Sequence, residues 1–133
     1  MLKYNSIPYR WGGCTFKGCD CYGIILLYFR EELGIDLLNY KYKDLTHEDV
    51  IDSRMFAENA CNEFVKAGLK NIQQYDVVLF RCDGQRFPGH TGVMSGKYKF
   101  LHTTKKHGAA VTRLSLWKDK IYGIYRHKSL MGA

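Results

Sequence analysis

One segment limits this chain more than any other. Residues Cys21 to Leu33, "CYGIILLYFREEL", read as a single helix, with Asp20 in front as a side-chain N-cap and Gly34 behind as the C′ residue that ends it. The helix is apolar nearly all round, and its central run "IILLYF" has no polar break. Such a helix is stable only inside a molecule, so the rest of the chain must wrap it. A length of 133 residues is that of one ordinary domain and allows a core without staples. With no internal repeat, low-complexity tract or Pro/Ser linker, residues 1–133 are read as a single domain.

The wrapping elements change character midway. A second helix is expected from Thr46, where Thr46-His47-Glu48-Asp49 approximates a capping box, with apolar residues at Val50, Ile51, Met55, Ala57, Cys61, Phe64 and Val65, and a stop at Gly68. Beyond it the pattern shortens to strand length. "DVVLF", "HTGVMS", "KFLHTT", "AAVTRL" and "IYGIYRH" are separated by Gly-bearing turns. Helices first and an antiparallel meander afterwards make an α+β fold.

Composition excludes several classes. Hydrophobic content of 46% with 14% aromatic is that of a globular chain, not of a disordered or collagenous one. "IILLYF" is far too short to span a bilayer, and "MLKYNSIPYRWGG" lacks the apolar core of a secretory signal, so synthesis in the cytoplasm without a signal peptide is expected, and no membrane partner. The 20 Lys and Arg against 13 Asp and Glu give a formal charge of +7, which favours polyanions. No run of like charges and no nucleic-acid motif accompanies it, so nucleic acid is not expected as a partner.

The chemistry gathers where the helix begins. "GCDCYG", residues 18–23, sets two thiols and an acid against the most apolar segment of the chain. Cys61 falls on the apolar face of the second expected helix and reads as a small core hydrophobe. Cys82 follows a strand, and Cys14 and Cys19 lie in a glycine-rich loop. Cys21 alone is expected in the first turn of a helix, where unpaired N–H groups and the macrodipole stabilise a thiolate. Lowering a thiol pKa from about 8.5 to about 6 raises its reactive fraction roughly thirtyfold at neutral pH. Zinc is the competing reading of "CTFKGCDC". Its gaps of four residues and one do not match paired knuckles, and no second knuckle follows, so no metal and no cofactor is expected.

A reactive thiol needs a base. Of His47, His90, His102, His107 and His127, two stand out: His90 opens "HTGVMS" and His102 lies inside the next strand. Their separation of twelve (102 minus 90) puts both side chains on one sheet face when the hairpin loop is odd in length. A base and its orienting partner need that arrangement. His47 reads as a helix first-turn residue, and His107 and His127 as loop and terminal residues.

These residues carry a resemblance. "YRWGGCTFKGCDCYGIILLYFREELG", then "YDVVLFRCDG", then "HTGVMSGKYKFLHT" resemble the NlpC/P60 cysteine peptidases, papain-like enzymes of bacterial cell-wall peptides, and more narrowly the short branch found with phage tail genes. Four blocks occur in order over Tyr9 to Arg126: Tyr-x-Trp-Gly-Gly, Asp-Cys-x-Gly, Asp-hydrophobic-Phe, and His-x-Gly with a second His on the following strand. The resemblance implies Cys21 as nucleophile, His90 as base and His102 as the residue that holds the imidazole. Tyr9, Asp20 and Tyr22 become the residues around the oxyanion and substrate. It implies a bond next to D-glutamate, γ-D-glutamyl to diaminopimelate or lysine, in peptidoglycan stem peptides. It also implies phage tail partners and delivery to the wall by a virion. The chain departs from the family pattern at Tyr22, often serine, and at Tyr75, often glycine. The alternatives are an acyltransferase or thioesterase on the same fold, or a tail-assembly adaptor without turnover.

Overall fold

The computed structural model describes residues 2–37, 63–81 and 90–131. A two-stranded hairpin, β1 (Cys14–Thr15) and β2 (Gly18–Cys19), leads into α1 (Cys21–Leu33). Six further strands follow: β3 (Phe64–Ala67), β4 (Val77–Phe80), β5 (His90–Met94), β6 (Lys99–Thr104), β7 (Gly108–Arg113) and β8 (Ile121–His127). They form one antiparallel sheet in the order β3-β8-β4-β5-β6-β7. The fold is α+β, as the sequence pattern requires.

The helix has the expected bounds for the expected reasons. Asp20 keeps extended backbone and its side chain accepts the N–H of Gly23. Gly34 adopts φ 65°, a left-handed conformation that glycine enters without cost, and its N–H bonds to the Arg30 carbonyl. Residues Cys21 to Phe29 are all buried. Ile24, Ile25, Leu27 and Phe29 pack with Val77, Leu79, Val93 and Leu101 on one sheet face. The period of two then sends Val78, Phe80, Met94 and Phe100 to the opposite face, where Leu114 and Trp117 of the 3-10 segment Leu114–Lys120 cover them. Burying one such side chain is worth about 1.5–3 kcal/mol, so the two faces, more than helix propensity, hold the fold.

Two expectations change. Residues 46–62 of the second helix lie outside the described residues. Its last part, Phe64 and Val65, is strand β3, paired with β8 from Phe64↔His127 to Ala67↔Ile124. The apolar spacing there fits either element; the pairing, with the Phe64 ring 6.0 Å from that of Phe29, decides for the strand. The sheet is also more than a meander. β4 to β7 are successive neighbours, but β8 returns to the far side of β4 and takes the place between β3 and β4. A buried ion pair braces that return: Arg126 donates from Nε and Nη2 to the two oxygens of Asp76, each at 2.8 Å. The hydrogen bonds from Arg126 to Asp76 raise the guanidinium pKa further. Among the described residues no helix is long and apolar enough to cross a membrane.

Candidate active site

Local backbone chemistry fixes the start of α1. The two oxygens of Asp20 are shared: Oδ1 accepts from Gly23 N and Oδ2 from Gly12 N, each at 2.7 Å. The Asp20 N–H in turn bonds to the Gly13 carbonyl. A Cβ on Gly23 would overlap that same carbonyl oxygen, and one on Gly13 would overlap the carbonyl of Gly18. The Trp-Gly-Gly and Asp-Cys-x-Gly blocks are therefore two halves of one joint, whose glycines allow backbone to meet backbone. The joint sets the direction in which Cys21 leaves the helix.

The sheet supplies the facing wall. β5 and β6 are in register at Val93↔Leu101 and Met94↔Phe100, and the pairing ends there. Beyond that point the strands part, and the first turn of α1 enters the opening. Thr91 Oγ1 donates to the Cys21 carbonyl at 3.1 Å, and Cys21 Sγ lies 3.9 Å from the Thr103 carbonyl. The same register leaves an odd number of residues between Met94 and Phe100, so His90 and His102 share a face as their spacing requires.

Within the opening the side chains form a chain. Cys21 Sγ is 3.7 Å from His90 Nδ1, His90 Nε2 is 2.8 Å from His102 Nδ1, and His102 Nε2 is 2.9 Å from Thr112 Oγ1. For His90 Nδ1 to accept the thiol proton, its Nε2 must carry the ring hydrogen and donate to His102 Nδ1. His102 then carries its hydrogen on Nε2 and donates to Thr112. One orientation of hydrogens satisfies every link, and it points acceptor capacity at the sulfur.

Aromatic rings enclose the two imidazoles. Trp117 lies 5.4 Å from the His90 ring and 5.3 Å from that of His102, with Phe80 against His90 and Phe100 against His102. Gly92 makes room for this packing, since a Cβ there would come within 2.6 Å of the Phe100 ring. His90 is 7% exposed and His102 6%. Burial holds both rings neutral: it is the main cause that lowers His90 to about 3, with His102 adding, and the cause that lowers His102 to about 4. A neutral imidazole is the proton-accepting form.

The other residues singled out in the sequence are placed as follows. The segment that carries Tyr9 is pinned alongside β2, since Cys19 N bonds to the Pro8 carbonyl and Arg10 N to the Cys19 carbonyl. Tyr9 itself forms a parallel bridge with Cys19, two residues before Cys21. Asp20 is fully buried and caps the helix. Tyr22, expected beside the substrate, is 1% exposed and packs in the main core. His127 packs against Phe29 and Phe64 and is more than a terminal residue. Cys19 Sγ donates to the Thr15 carbonyl while Cys21 faces His90, so these thiols do not converge. His47, Cys61 and Cys82 lie outside the described residues. Thr112 and Trp117 are new. Thr112 was readable from register, because His102↔Ala110 makes it a diagonal neighbour of His102; Trp117 carries no such signal.

Known proteins resemble this chain in sequence and in fold. The chain is 29% identical over 131 residues to γ-DL-glutamyl hydrolase of Bacillus subtilis, covering 96% of this chain and 28% of that protein. It is 27% identical over 120 residues to murein DD-endopeptidase MepS/murein LD-carboxypeptidase of Escherichia coli, covering 88% of this chain and 54% of that one. The chain thus spans about half or less of these two relatives. Among solved structures, the NlpC/p60 domain of peptidoglycan hydrolase SagA superposes with a TM-score of 0.62 at 16% identity, over 94% of this chain and 91% of that one. An NlpC/P60 family protein from Bacillus cereus superposes at 0.67 and 20% identity, over 93% of this chain and 36% of that one. With the NlpC/P60 family model matching residues 6–126, nearly the whole length, this chain belongs to the NlpC/P60 family.

Proposed function

We propose that the chain is a cysteine peptidase of bacterial cell-wall peptides, cutting at a γ-D-glutamyl bond to diaminopimelate or lysine. The observation that carries this reading is the ordered set Cys21–His90–His102, with the sulfur 3.7 Å from Nδ1 and the two rings 2.8 Å apart. Cys21 gives its proton to neutral His90 and attacks the amide carbonyl. Helix-start N–H groups and the Tyr9 hydroxyl stabilise the oxyanion; those of Gly23 and Ile24 are already engaged by Asp20, which narrows the donors to the very first residues of α1. His90 then protonates the leaving amine, a thioester remains on Cys21, and water hydrolyses it.

The bond is chosen by the family resemblance and by the name of the Bacillus subtilis relative; the Escherichia coli relative is named for other murein bonds. Residues 1–133 act as one domain in this reading. The resemblance to the tail-gene branch supports the further reading that the chain reaches the wall with a phage tail. The test is incubation with purified muropeptides followed by mass analysis. The expected products are a disaccharide that retains only L-Ala-D-Glu, now with a free γ-carboxyl, and the complementary peptide with a free amine, the two together heavier than the substrate by one water. Products joined to an added amine in place of water would support the acyltransferase reading. Conversion of cross-linked dimers to intact monomers would move the cut to another bond.

A further inference from the structure

Two thiols beside the nucleophile have no part in the chemistry above. Cys14 and Cys19 are directly opposed across the β1–β2 hairpin. The bond from Asp20 N to the Gly13 carbonyl marks Gly13 and Asp20 as a hydrogen-bonded position of this ladder. One step along, Cys14↔Cys19 is a position of the other kind, where Cα atoms stand about 4.5 Å apart and side chains are closest. That separation lies within the range a disulfide spans. Both side chains also point the same way, Cys19 into the main core and Cys14 packed against it.

We propose that Cys14 and Cys19 are a modification site, a thiol pair that an external small-molecule disulfide converts to a cross-strand bridge while Cys21 stays a thiol. Access dictates the order. Cys14 is half-buried and lines a surface hollow of about 450 Å³ with Arg10, Trp11 and Gly12, whereas Cys19 is fully buried. Cys14 thiolate attacks the disulfide R–S–S–R, forming a mixed disulfide and releasing R–S⁻. Cys19 thiolate then attacks the Cys14 sulfur and displaces the second R–S⁻. The two cysteines lose two protons and two electrons, and R–S–S–R is reduced to two R–SH. In this step Cys19 Sγ turns away from the Thr15 carbonyl, which it meets at 3.1 Å. Cys21 is kept out because α1 has begun, and its sulfur is directed to His90 and the Thr103 carbonyl. The bridge closes the hairpin that holds Asp20 from both sides, through Gly12 N and Gly13 O, and so clamps the start of α1. The inference does not depend on which peptide bond the chain cuts.

Trypsin provides a direct readout because Lys17 lies in the loop between the two strands. Cys21→Ala protein is incubated with oxidised glutathione, quenched in acid, digested and mapped by mass. The expected product is the peptide Trp11–Lys17 joined to Gly18–Arg30, lighter by two hydrogens than the two peptides together. The melting temperature should rise by about 5 °C, as a short closed loop restricts the unfolded chain. Cys14→Ser in the same background should show neither the link nor the rise. In wild-type protein treated likewise, the linked pair should form with Cys21 outside it, as fragmentation of the linked peptides between Cys19 and Cys21 would show. Separate glutathione adducts on Cys14 and Cys19 without a link would overturn the proposal. So would a link from either to Cys21, Cys61 or Cys82, or a bridge that leaves the melting temperature unchanged.

Discussion

His90→Ala should lower kcat/KM on a muropeptide by about 10³-fold or more, and His90→Asn by nearly as much, with circular dichroism unchanged. Of the two groups named against the Cys21 sulfur, His90 and the Thr103 carbonyl, His90 is the one that can accept its proton and return it to the leaving amine. The His102 variants should separate. His102 receives the Nε2 hydrogen of His90 at 2.8 Å, so its task is to hold the tautomer and the ring plane. Asn at this position keeps a carbonyl acceptor and should retain activity within about tenfold, whereas Ala leaves the ring without a partner and should lose about 10²-fold. Thr112→Val removes the acceptor for His102 Nε2 and should cost less than His102→Ala, because it acts one link further from the sulfur. Rates of the five variants on one substrate decide the order. Wild-type activity in His90→Ala would remove the base from the mechanism.

The protein should lose about 4 kcal/mol of stability between pH 7 and pH 5. His90 and His102 have folded-state values of about 3 and about 4, both below an unfolded value near 6.5. At pH 5 the unfolded chain therefore binds a proton at each position and the folded chain does not. Stability contributed by these groups is complete above about pH 6.5 and is lost as pH falls below it, at about 2 kcal/mol per histidine by pH 5. Burial lowers His127 as well, which acts in the same direction. Urea unfolding at the two pH values measures the change, and His90→Gln should roughly halve it. Equal stability at both pH values would mean that the imidazoles are solvated or charged in the folded protein. Within the folded molecule His90 stays neutral across this window, so a fall in turnover near pH 5 should follow unfolding rather than protonation of the base.

Much of this site is legible in the sequence because its signals are local. Asp20 and Gly34 bracket α1 through capping chemistry that involves neighbours in the chain, and β4 to β8 stand out as runs of strand length. His90 and His102 could be placed on one face because a hairpin converts sequence spacing into register. What escaped depends on contacts distant in sequence. Phe64 and Val65 fit a helix until β8, over fifty residues later, offers them an edge. The place of β8 beside β4 is braced by the pair of Arg126 with Asp76, and neither residue announces its partner. Tyr22 follows the nucleophile and so looked exposed to substrate, yet the tight joint at Gly13 and Gly23 turns it into the core. Trp117 sits in a 3-10 segment without strand or α-helix periodicity, and only the folded sheet shows that it roofs both histidines.

The central claim is that Cys21 is the nucleophile, and alkylation mapped against activity tests it without altering the sequence. Wild-type protein is treated with substoichiometric iodoacetamide, and at each stage the fraction of Cys21 modified, located by fragmentation of the tryptic peptide Gly18–Arg30 because it also carries Cys19, is compared with residual muropeptide cleavage. Residual activity should fall in direct proportion to Cys21 modification, with muropeptide slowing the reaction at Cys21 but not at Cys14. Protein alkylated completely at Cys21 that still cleaves muropeptides at the original rate would contradict the account.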